Sequence, residues 1–158
     1  MGYKEGIERL EKIKKFLTQW GAADRDTLEL LFFPSRARSQ AVLTNLTKQK
    51  HLNRIRIDQY IYMLPGYKGD PSQDRQKAQF HATTKQAPSF WKITYQDGIY
   101  KCVHTFDQKG IDLRPVFEGE QPGPGATFTA YYDQEGLPRA DSLKEALKFF
   151  YKTNSRGA

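Results

Sequence analysis

Arg36, Arg38, Gln40, Thr44, Asn45, Lys48, Lys50, Arg54 and Arg56 fall within one short stretch that contains no carboxylate. Guanidinium and ammonium groups neutralise phosphates, and amides and hydroxyls bond base edges as well as phosphates. Residues of these types in one run offer binding chemistry toward a polyanion, not bond-making chemistry. The charge along the chain points the same way. Residues 1–32 hold six basic and six acidic side chains, whereas residues 33–68 hold seven basic ones against Asp58 alone. Residues 69–158 hold twelve basic and eleven acidic, so nearly all of the formal +7 sits in one window. A focused excess of this kind is the electrostatic footprint of a polyanion site. The plain alternative is a solvated face with no partner.

The groups that could support catalysis or hold a metal are scattered. His51, His81 and His104 share no ligand spacing with Cys102, which argues against a zinc site. Cys102 falls on an expected strand and reads as a core residue, not a nucleophile. The run GEQPGPG lacks the Lys-Ser/Thr pair of a phosphate loop. Asp107-Gln108-Lys109 stands in a turn beside Gly110, where a nuclease would need its carboxylate and lysine on a strand, and Asp97 is likewise a turn residue. With no active-site or cofactor motif, the chain reads as a non-enzyme without a cofactor.

Composition bounds the rest. At 38% hydrophobic and 27% charged residues the chain is globular in type, and 158 residues suffice for one ordinary domain or two small ones. No run of about 18 apolar residues occurs, so no membrane span is expected. The N-terminus MGYKEGIERL lacks the apolar core of a secretory signal, and Gly6 stands where myristoylation needs Ser or Thr. A single cysteine excludes an internal disulfide and suits a reducing, cytoplasmic setting.

Three helices and a hairpin must position the basic stretch. Ile7, Leu10, Ile13, Leu17 and Trp20 recur at helical spacing, and Gly21 ends that helix. Asp24 and Asp26 are alternative caps for a second helix rich in Leu and Phe, with Asp26 and Glu29 spaced as a capping box, and Pro34 stops it. Ser35 caps a third helix from about Arg36 to Gln49. At about 100° per residue, Val42, Leu43 and Leu46 face inward and Ala37, Gln40, Ala41, Thr44 and Lys48 face outward. Arg36 and Arg38 lie at the end where a recognition helix meets bases. Arg54-Ile55-Arg56-Ile57 and Tyr60 to Leu64 then form a ribbon around the turn Asp58-Gln59. Ile55 and Ile57 are expected to pack on the helices, and Arg54 and Arg56 to face a phosphate backbone.

In this order the segments GAADRDTLELLFF, LTKQKHLNR and YMLPG resemble a bacterial winged helix-turn-helix domain. More narrowly, they are similar to the N-terminal module of replication-relaxation-type plasmid and phage proteins. The matching residues are Leu31, Phe32, Phe33, Ser35 and Arg38, then Leu43, Leu46 and Leu52, with Leu46 one register off the commonest spacing. The resemblance covers about residues 5–66. It implies sequence-specific binding of double-stranded DNA by a transcriptional or replication regulator of a mobile element. Larger proteins of that type carry a nuclease-like C-terminal fold, for which this chain holds no active-site motif.

The expected fold class is α+β. A winged helix of three helices and a hairpin wing spans 1–68, and a polar linker spans 69–88, with room for one or two helical turns around Arg75 to Ala82. A small α+β domain spans 89–158. In that last domain Gln96-Asp97-Gly98 signals a hairpin, Leu113–Phe117 and Thr127–Tyr132 read as further antiparallel strands, and Ser142 with Glu145 caps a terminal helix. Such a domain would serve as a homodimer or protein-partner surface. A protein-interaction module on the same scaffold, an inhibitor or adaptor from a mobile element, is the alternative function.

Overall fold

The computed structural model describes residues 3–34 and 36–156, with side chains for 4–34 and 38–151. Ser35, the expected cap of the third helix, lies outside the described residues. Among these residues the chain is mixed α+β, with five α-helices and three small sheets. It divides into two compact units, Met1–Ala82 and Thr83–Ala158.

The first unit opens with helix α1 (Tyr3–Trp20), which buries Ile13, Leu17 and Trp20. Ile7 is exposed, because it lies about 120° around the helix from Ile13 and so leaves the inward stripe. Gly21 closes α1 in the left-handed region, φ 92°. A Cβ there would collide with the Asp74 carboxylate and the Tyr67 ring, whose hydroxyl donates to that carboxylate. Next comes a strand with no signal in the sequence, β1 (Ala22–Asp24), with both alanines fully buried. Asp24 then caps helix α2 (Arg25–Phe32): its Oδ1 accepts the Thr27 N–H at 2.7 Å. Asp26 is not the cap, and Glu29 accepts the Ser39 hydroxyl at 2.9 Å instead of closing a capping box.

Helix α3 (Arg36–Lys48) is held by Leu43 and Ser39, both fully buried, with Val42 and Leu46 packed alongside. Strands β2 (Asn53–Arg56) and β3 (Tyr60–Met63) form the hairpin, and the sheet runs β1-β3-β2, antiparallel throughout. One core cluster joins Ile13, Leu17 and Trp20 of α1, Leu28 of α2, Leu43 of α3 and Tyr62 of β3.

Two expectations change here. First, the hairpin turn takes three residues, 57–59, so Arg56 stands opposite Tyr60 and Arg54 opposite Tyr62. A two-residue turn would have set Arg56 against Ile61, and a one-residue slip exchanges the faces of a strand. Tyr62 is buried in the core cluster and the arginines share its face; on the other face Ile61 is buried against Ala22 and Met63, while Ile55 and Ile57 are 40% and 51% exposed. Second, the stretch whose composition reads as a linker is largely helix α4 (Pro71–Ala82) followed by a 3-10 turn, Thr83–Gln86. Pro71 occupies the first helical position and Asp70 Oδ1 accepts the Ser72 N–H at 3.0 Å, so the start is well capped. Few apolar residues suffice because Ala78, fully buried, lets α4 approach β1 closely.

In the second unit, β4 (Trp91–Gln96), β5 (Ile99–His104) and β6 (Gly110–Leu113) form an antiparallel meander. Asp97 and Gly98 connect the first two with φ 53° and 81°, the left-handed pair a two-residue hairpin loop requires. The expected strand Leu113–Phe117 is broken at Arg114, whose N–H donates to the Thr127 hydroxyl at 2.7 Å. Beyond it, β7 (Pro115–Phe117) pairs with β8 (Phe128–Ala130) in parallel, not antiparallel, since loop 118–127 carries the chain back before it resumes. Helix α5 (Leu143–Arg156) buries Leu143, Ala146 and Leu147. Its start is half a capping box: Ser142 Oγ accepts the Glu145 N–H at 3.2 Å, while the Glu145 carboxylate reaches the Asp141 N–H at 2.7 Å.

Candidate nucleic-acid interface

Helix α3 and the hairpin bring most of the candidate residues to one side of the first unit. Arg38, Gln40, Asn45 and Lys48 are exposed along α3, and Thr44 is half-buried among them. Arg36 opens α3, and its side chain lies outside the described residues. Thr47 uses its hydroxyl within the helix, donating to Leu43 O at 2.8 Å. Lys50, also exposed, ends the helix in the left-handed region at φ 65°, where its N–H donates to Thr47 O at 3.1 Å. The His51 N–H then caps Leu46 O at 3.0 Å, turning the chain into β2.

Thr44 is half-buried because the hairpin reaches it. Arg54 Nη1 donates to Thr44 Oγ1 at 3.4 Å, and the Arg54 guanidinium carbon stands 4.1 Å from the centre of the Tyr60 ring. Arg56 shares that ring from 5.2 Å. Sequence reasoning misses Tyr60, because its role follows from standing opposite Arg56 in the true register. Its π face holds two cations that would otherwise repel and wander. The outcome is a continuous surface on which the exposed side of α3 passes into an arginine pair with fixed positions.

Asp58, the lone carboxylate of the basic window, sits in the hairpin turn. The guanidinium of Arg75 grips it, with Nη2–Oδ2 at 2.9 Å, and holds its pKa down at about 2. Arg75 belongs to the linker-like polar segment, and nothing in the local sequence signals this pairing across 17 residues.

Elsewhere the titratable groups serve packing. Burial pushes the Cys102 thiol up to about 12, suiting a core residue of β5. Burial pushes His81 down to about 4, against the Trp20 ring. Asp107 Oδ1 accepts the Lys109 N–H at 2.9 Å, which closes the turn that leads into β6. Among the described residues no helix is long and apolar enough to cross a membrane. Comparison with protein families, with curated proteins and with solved structures returned no match to this chain.

Proposed function

We propose that the first unit is a winged helix-turn-helix that binds double-stranded DNA sequence-specifically, in a transcriptional or replication regulator of a mobile element. Element order supports the fold reading: a short strand between the first two helices, then a third helix and a hairpin that pairs back onto that strand. The observation that carries the functional reading is the bond from Arg54 to Thr44, which joins the exposed side of α3 to the hairpin within the window of excess positive charge. On this reading Gln40, Thr44 and Asn45 bond base edges in the major groove, and Arg54, Arg56, Lys48 and Lys50 neutralise phosphates. The salt dependence of duplex binding tests it. Arg54→Ala with Arg56→Ala lowers the slope of log K against log salt by about 2, one for each phosphate no longer neutralised. An unchanged slope removes the hairpin from the interface.

A second reading, a protein-interaction module, is favoured by one observation in the second unit. Phe106 is 81% exposed beside Phe90, with ring centroids 6.1 Å apart. Isolated surface apolar residues are ordinary, but paired exposed aromatics suit a protein interface. This reading prevails when no duplex, random or genomic, binds more tightly than about micromolar at low salt.

A further inference from the structure

The basic window has one flaw as a phosphate-binding surface. Its single carboxylate, Asp58, lies in the turn between Arg56 and Tyr60 and is 62% exposed at the side chain. A free anion there would repel the backbone that the neighbouring arginines attract. Arg75 of α4 removes it from view: Nη1 and Nη2 each donate to one Asp58 oxygen, the second at 2.9 Å, a bidentate pairing that lysine cannot reproduce. The same guanidinium is anchored from behind. Its Nε donates to Asp24 Oδ2 at 3.1 Å, and Asp24 is 1% exposed with its other oxygen capping α2. One side chain therefore ties the exposed hairpin turn to a buried helix cap.

We propose that Arg75 is a positioning residue for duplex binding, which silences Asp58 and fixes the hairpin so that Arg54 and Arg56 meet phosphates. This rests on the DNA-binding reading and adds a residue that itself touches no DNA. A positioning role predicts coupling. Arg75→Ala weakens binding to a random duplex at low salt by about tenfold and lowers the salt slope by between about 1 and 2, because the freed hairpin no longer holds its arginines on the phosphates. In the Arg54→Ala/Arg56→Ala background the same substitution leaves the salt slope unchanged and costs less affinity, only the share due to the bared Asp58. Adding Asp58→Asn to Arg75→Ala recovers part of the affinity by removing the exposed anion.

A second measurement reads the pin without DNA. Asp58→Asn leaves the Arg75–Asp24 pair intact, and 15N relaxation then shows the amides of 57–60 gaining fast mobility over the wild type. Affinity decreases from Arg75→Ala that are equal in both backgrounds, or a salt slope it leaves unchanged, overturn the positioning role. Unchanged mobility in Asp58→Asn overturns the pin. A wild-type protein that binds no duplex overturns the DNA reading instead, and the relaxation measurement still decides whether Arg75 orders the hairpin.

Discussion

The imidazole of His81 lies against the indole of Trp20, ring centroids 4.4 Å apart, and burial keeps it neutral with a pKa pushed down to about 4. In the unfolded chain the same group titrates near 6.5. Between those values the unfolded state binds more protons, so this group contributes stability above about pH 6.5 that is lost as pH falls toward 4. The ring is partly solvated, and the loss is on the order of 1–2 kcal/mol after that discount. Urea denaturation at pH 7.0 and 5.0 checks it, since carboxylates contribute little in that interval. Wild type loses stability between the two, and His81→Gln flattens the difference. A wild-type curve already as flat as the variant's excludes His81 as the source. Arg54 shows the same dependence on surroundings with opposite purpose: Thr44 and Tyr60 leave its charge intact and restrict where it points.

The elements differ in how far the sequence reveals them. Helix α3 is legible because a period of 3.6 sets Asn45 and Lys48 well around the helix from Leu43, and Leu43 comes out buried with Gln40, Asn45 and Lys48 exposed. The hairpin is legible as a hairpin but not in its faces. A period of two says which residues lie together, not which set turns inward, and here both sets hold large apolar side chains: Tyr60 and Tyr62 against Ile55 and Ile61. The extra turn residue puts the arginines on the Tyr62 face, although Ile61 on the other face is buried as well. Strand β1 has only Ala22, Ala23 and Asp24 to announce it, and three residues carry no periodicity. Helix α4 escapes for a related reason, since its buried residues, Ala78, Phe80 and Ala82, do not recur at helical spacing and a distant ion pair helps to hold it. The face assignment makes its own prediction. Ile57→Ser shifts the unfolding free energy by no more than about 0.5 kcal/mol, as surface changes do. Tyr62→Ala, which empties a site 1% exposed in the core, costs about 3–5 kcal/mol. Equal costs in urea titration would reverse the assignment.

At the scale of the whole molecule, the question is where the first unit ends. The sequence places its boundary at Lys68, where apolar patterning stops and a polar stretch begins. The packing places it at Ala82, because α4 completes the core beneath the hairpin sheet. Two consequences follow from cutting at 68. Ala78 leaves the cluster that holds Ile13, Leu17 and Trp20, which opens apolar surface to water. The buried Asp24 carboxylate is also deprived of Arg75. A core of this size supplies only about 3–5 kcal/mol in total. Losing the helix packing and the ion pair together exceeds that margin, so residues 1–68 alone do not fold, whereas residues 1–82 unfold in one cooperative transition. Trp20 is the only tryptophan in either fragment, so its fluorescence in a urea titration reads both. A sigmoidal transition for 1–82 beside a flat, denatured signal for 1–68 makes α4 a structural part of the first unit. A 1–68 fragment that unfolds at the same midpoint as 1–82 returns α4 to the role of a connector and leaves the hairpin to be ordered by α3 alone.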